Sequence, residues 1–140
     1  MTAFDNPTIR DHLLMAWNES EPGTANAHEE GGFVLQSDDG SLIIERWARG
    51  AQNKITVPNH DGGMRNGMKI IATFHTHPNP GENYLQEPSP TDIRAVRDDP
   101  DLAHADYQGE IVISTELTYV IAKSGTITVA GRTSDLFAQS

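Results

Sequence analysis

The chain contains no cysteine. That one absence removes disulfides, thiolate metal sites and cysteine nucleophiles together, and leaves the redox compartment open. Long apolar runs are missing too. No stretch approaches the roughly 20 apolar residues that a membrane-crossing helix needs. The start, Met1-Thr2-Ala3-Phe4-Asp5, lacks the basic-then-apolar order of a signal peptide. Positive charge is scarce: Lys and Arg number 10 against 20 Asp and Glu, a formal net charge of -10. Such a chain repels a phosphate backbone, so neither nucleic acid nor membrane is expected as a partner. There is no internal repeat, coiled coil or low-complexity tract. At 140 residues one domain is the natural count, large enough for a core without staples. The expected setting is soluble, either cytoplasmic or as a module of a larger secreted or delivered protein.

What is present reads as alternating short elements. Ile9, Leu13 and Trp17 recur at helical spacing, which predicts an opening helix over 8–18 with Thr8 as its N-cap. A loop follows to Asn26. Phe33 to Gln36 is a strand, Asp38-Asp39-Gly40 a hairpin turn, and Ser41 to Trp47 the returning strand. Ile55 to Val57 reads as a short strand ending at Pro58, and Asn59 to Gly67 as loop. The apolar run Ile70-Ile71-Ala72 leads a strand through His77. A Pro/Gly/Asn-rich insertion over 79–88 comes next, then a helix from Thr91 to Asp99 that Pro100 ends. Three further strands, near 109–115, 118–123 and 126–129, complete the chain. This order predicts an α/β domain of the α+β kind, a central mixed sheet flanked by helices.

The chemistry concentrates in Thr73-Phe74-His75-Thr76-His77-Pro78 and Ser89-Pro90-Thr91-Asp92. On a strand, residues i and i+2 share a face roughly 6–7 Å apart. His75 and His77 can therefore converge on one ion, with Asp92 as a harder third ligand. Two histidines and a carboxylate, with a position left for water, is the pattern of a catalytic zinc site. Such a hydrolase also needs a base that is not a ligand. Glu29 and Glu30, just ahead of Gly31-Gly32 and an apolar strand, are the candidates; the two glycines would let backbone approach the site. Each piece has a blander reading. The glutamates could be solvated loop charges. His-x-His could be packing. Ser89-Pro90-Thr91-Asp92 is also a capping box with proline at the first helical position. The conjunction of all pieces in one order favours the metal site.

Glu29-Glu30-Gly31-Gly32-Phe33-Val34, His75-Thr76-His77-Pro78 and Ser89-Pro90-Thr91-Asp92 together resemble the JAMM motif of the JAB/MPN metalloprotease family, in a bacterial-type form. The resemblance covers roughly residues 8 to 130. It implies a cytidine-deaminase-like fold, one zinc ion per chain, and cleavage of peptide or isopeptide bonds in a protein or peptide substrate, with a partner protein as an option. By position it makes His75, His77 and Asp92 the metal ligands, Glu29 the acid/base, and Ser89 a donor to the tetrahedral intermediate. Glu29 is preferred to Glu30 because the family places its glutamate three positions before the glycine, here Gly32. The 79–88 insertion, with Asn79, Gly81, Asn83 and Tyr84, is expected to line the substrate groove.

Other metal chemistries fit less well. Zinc nucleobase deaminases need cysteine ligands and His-x-Glu, and a His-x-His amidohydrolase is built on a barrel of about 250 residues. A cupin-like site would take Glu82 beside the histidines. A non-catalytic scaffold, binding through its acidic face, is the reading from a different class.

Overall fold

Seven strands form one sheet: β1 (Gly31–Gln36), β2 (Leu42–Arg46), β3 (Met64–Arg65), β4 (Met68–His77), β5 (Glu110–Ser114), β6 (Leu117–Ile121) and β7 (Ile127–Arg132). The computed structural model describes residues 2–81 and 84–137. Strand order is β2-β1-β4-β5-β6-β7, with β3 paired to the start of β4. Only β4 and β5 run parallel; the other pairings are antiparallel. Among the described residues four α-helices accompany the sheet: α1 (Thr2–Asp5), α2 (Pro7–Glu19), α3 (Pro90–Arg97) and α4 (Thr133–Leu136). The expected α+β class with a central mixed sheet is what forms. None of the described helices is long and apolar enough to cross a membrane.

The sheet separates two apolar clusters because successive side chains on a strand face opposite ways. Ile9, Leu13 and Ala16 of α2 pack with Val34, Phe74, Ile111 and Ile113. On the other face, Val96 of α3 joins Phe33, Leu35, Val112 and Ile121. A bulge lies between β1 and β4, where Val34 pairs with Ala72 but Leu35 pairs with Ile70. Ile71 is the extra residue, and it shifts the alternation by one. Ile71 and Ala72 thus both reach the α2 cluster, while Ile70 reaches the α3 cluster.

Several local expectations need correcting. The opening helix begins at Pro7, not at residue 8, and Asn6 caps it: its side chain accepts from the Ile9 N–H at 3.1 Å. Proline takes the first helical position, where its missing N–H costs nothing, so Thr8 lies inside the helix. Ile55 to Val57 is not a strand; only Ala51 and Lys54 bridge there. The loop expected over 59–67 contains β3, which turns into β4 on Asn66 (φ 52) and Gly67 (φ 75). Two successive positive-φ residues are what a tight hairpin turn demands, and Asn-Gly supplies them. α3 ends at Arg97, and a 3-10 turn over Pro100–Leu102 follows, because Pro100 disfavours helical geometry in the residue before it.

Candidate metal centre

β4 and the start of α3 build the site together. His75 Nε2 and His77 Nε2 lie 3.1 Å apart. Asp92 Oδ1 is 3.5 Å from His75 Nε2, and Asp92 Oδ2 is 3.2 Å from His77 Nε2. The carboxylate is held there by the capping box of α3. The Ser89 N–H donates to Asp92 Oδ2 at 2.8 Å, and the Asp92 N–H donates to Ser89 Oγ at 3.1 Å. The helix cap and the proposed ligand are therefore one arrangement, not two competing readings.

Outer contacts orient both rings. His77 Nδ1 lies 3.2 Å from the Gln86 carbonyl oxygen, which can only accept, so that nitrogen carries hydrogen. His75 Nδ1 lies 3.4 Å from Glu110 Oε2, an acceptor again when ionised. Both Nε2 atoms are left to offer lone pairs beside a carboxylate, and the three donor groups lie within 4.8 Å of one another. Two imidazole nitrogens and a carboxylate oxygen in such convergence fit zinc.

Burial works against the imidazolium of His75, but the carboxylates of Glu110 and Asp92 outweigh it and hold the pKa well above the ordinary value. Burial likewise pushes Asp92 up, yet its contacts with His75 and His77 prevail and hold its carboxyl far below the usual range.

The triad opens on a pocket of about 430 Å³ whose wall includes Glu29, Ser89, Glu110, Trp47, Tyr84 and Leu85. Glu29 is only 6 % exposed. Burial raises its pKa, partly offset by His75 and His77. Glu30 is buried as well but engaged elsewhere: Oε2 lies 2.6 Å from His28 Nε2 and Oε1 lies 2.6 Å from Arg46 Nη2. Neither glutamate is a solvated loop charge. The chain matches no family model, no curated protein and no solved structure. What the site can do must be argued from its own geometry.

The glycines beside these glutamates serve packing. A Cβ on Gly31 would lie 2.6 Å from the Trp47 indole, and one on Gly32 would lie 2.8 Å from the Phe74 ring. They admit two aromatic side chains and the backbone oxygens of Phe74 and Glu45 on the neighbouring strands.

Sequence reasoning missed Glu110 and Gln86. Glu110 opens β5 and pairs across the parallel register with Thr73; an acidic residue heading the apolar run Ile111-Val112-Ile113 was the available signal. Gln86 acts through its backbone, which no residue type announces. Of the 79–88 insertion, Tyr84 and Leu85 line the pocket. Asn79 is buried, and its side-chain nitrogen donates to the Gln52 carbonyl at 2.6 Å, so that amide donor is committed within the chain. Gly81 is exposed. Asn83, and Glu82 of the cupin-like alternative, lie outside the described residues.

Proposed function

We propose that this chain is a zinc-dependent hydrolase of peptide or isopeptide bonds, of the JAMM type on a JAB/MPN-like fold. One observation carries the reading: two imidazole nitrogens and a carboxylate converge at a pocket that also holds a separate, buried glutamate, Glu29. A structural zinc site would be closed by a fourth protein ligand, and a catalytic one keeps a position open beside a base.

His75, His77 and Asp92 would hold the zinc. Bound there, zinc supplies Lewis acidity that polarises a carbonyl and lowers the pKa of water to about 7. Glu29 takes a proton from the attacking water as the C–O bond forms, and returns it to the departing amine as the C–N bond then breaks. Its buried setting raises its proton affinity, which suits both halves of that task. The Ser89 hydroxyl accepts from the Asp92 N–H and keeps its own hydrogen to donate to the carbonyl oxygen as charge grows. Tyr84, Leu85 and Trp47 give the substrate an apolar wall that excludes water.

The cupin-like alternative requires a double-sheet jelly roll, whereas the described strands form one sheet with β2 and β7 at the ends of its order. The deciding experiment is elemental analysis of protein purified without chelator, with peptide and isopeptide cleavage measured on the same preparation. Stoichiometric zinc and cleavage, both lost in His75→Ala and in Asp92→Ala, are expected. Zinc without hydrolysis of either bond type would favour the scaffold reading, and iron with oxygen consumption would favour an oxygenase.

A further inference from the structure

A second group of metal-ligating side chains lies away from the triad, where the segment after Val57 meets the 3-10 turn that follows α3. His60 Nε2, an oxygen of Asp99 and an oxygen of Asp101 all lie within 4.8 Å of one another. The closest pair is His60 Nε2 and Asp99 Oδ2, at 2.6 Å. His60 Nδ1 lies 2.8 Å from the Pro58 carbonyl oxygen. A carbonyl accepts only, so Nδ1 carries hydrogen, and neutral His60 must present the lone pair of Nε2. That lone pair faces an ionised carboxylate with a second carboxylate beside it. Three electron pairs cannot converge without a positive charge between them, either a proton on Nε2 or a metal ion in its place.

The surroundings match an oriented ligand set. Nδ1–H to a backbone carbonyl is the usual outer contact of a metal-bound histidine. The Phe33 ring stands 5.7 Å from the imidazole and limits its tilt. Asp99 Oδ1 accepts from the Asp101 N–H at 2.9 Å, and Asp101 Oδ1 accepts from the Gly62 N–H at 2.9 Å. One oxygen of each carboxylate is thus held by backbone, and the second oxygen of Asp99 faces His60 Nε2. Lys123 donates to the carbonyl oxygens of Val96 and Asp99, so its charge is not set directly on either carboxylate. The two segments are brought together at Gly63, where a Cβ would lie 2.6 Å from the Asp101 carbonyl oxygen.

We infer that His60, Asp99 and Asp101 form a second divalent-cation site. One imidazole and two carboxylates suit a borderline ion such as Zn²⁺ better than Ca²⁺ or Mg²⁺, which take oxygen alone. The site is partly exposed, so water completes the coordination. Its role is to hold the pocket wall. Ile55 and Val57 line the pocket just before His60, and Thr91 and Ala95 line it from α3, just before Asp99 and Asp101. An ion at this junction ties the two walls together.

The inference stands whether or not the triad is catalytic, and it is tested with Zn²⁺ alone. Wild type, His60→Gln, Asp101→Asn and His75→Ala are dialysed against buffered zinc and analysed for metal, with thermal unfolding followed in parallel. Asp101→Asn keeps an oxygen for the Gly62 N–H, which protects the fold. The expected result is one ion fewer per chain in His60→Gln and in Asp101→Asn than in wild type. His75→Ala should keep one ion and melt higher with zinc, and adding Asp101→Asn to it should remove both effects. Unchanged zinc content in His60→Gln and Asp101→Asn would overturn the inference and leave His60 and Asp99 as a metal-free ion pair. Zinc lost only in His75→Ala would overturn it too.

Discussion

Glu30 Oε1 lies 2.6 Å from Arg46 Nη2, and its other oxygen lies 2.6 Å from His28 Nε2. Among the described residues the neighbouring glutamate has no such partners. Glu29 faces the pocket with His75, His77 and Asp92 around it. Two adjacent carboxylates, both buried, are thus sorted by what surrounds them. One is held between a guanidinium and an imidazole, and the other is left to gain and lose a proton.

Glu29→Gln and Glu30→Gln should therefore fail in different measurements. Glu29→Gln cannot accept a proton, so hydrolysis should fall by roughly 10²–10⁴-fold while zinc content and melting temperature stay near wild type. Glu30→Gln removes the charge that Arg46 and His28 face. It should cost about 1–3 kcal/mol in urea unfolding and leave the turnover of the folded fraction near wild type. The opposite pattern would move the base by one position.

Glu110 should act on metal affinity rather than on the bond being cut. Its carboxylate faces His75 Nδ1 at 3.4 Å and favours the tautomer that presents Nε2. Glu110→Gln should weaken zinc binding by roughly 10–100-fold, the usual loss when an outer partner of a ligating histidine is changed. Competition with a zinc-binding dye measures this without any substrate. Equal affinity in the variant would reduce Glu110 to a lining residue.

How much of this could be read from the residues depended on how local each feature is. His75 and His77 share a face through strand alternation alone, and Ser89 to Asp92 is a self-contained turn, so both were legible. The choice of Glu29 came from resemblance, and the contact of Glu30 with Arg46, which bears on it, joins the residue before β1 to the end of β2. Glu110 was missed because parallel register sets β5 against β4 over a long connection, and no periodicity encodes register. The bulge at Ile71 was invisible for the same reason. Asn66-Gly67 was legible and overlooked, since the apolar pattern before it spans only the two residues of β3.

The chain stripped of metal should show a defined pH window. His75 has a folded pKa well above its reference value of 6.5. Its stabilisation is complete below about pH 6.5 and is lost as pH rises through the folded value. Asp92 has a folded pKa below its reference of 3.8. Its stabilisation is present above about pH 3.8 and is lost as pH falls. Melting temperature in chelator should thus be highest between these limits and decline on the alkaline side. The alkaline decline should be shallower in Glu110→Gln, which no longer raises His75. Zinc held by the triad would compete with the proton on His75, so added zinc should flatten the decline and its binding should release protons.

Ser89 separates two roles of one hydroxyl. As the N-cap of α3, its oxygen accepts from the Asp92 N–H at 3.1 Å, and Ser89→Ala should cost about 1 kcal/mol of stability. As a donor to the developing oxyanion, its hydrogen should be worth on the order of 10²–10³ in turnover. A serine can accept and donate at once, so Ser89→Ala is expected to show both losses, the kinetic one larger. Zinc should be retained, because the reciprocal bond that positions Asp92 comes from the Ser89 backbone N–H, which the substitution keeps. Ser89→Asp should still cap the helix but would set a negative charge against the oxyanion and abolish turnover. Its melting temperature and zinc content show whether the site is intact when the rate is read. An active Ser89→Asp protein would make Ser89 a helix cap alone, leaving oxyanion stabilisation to the metal.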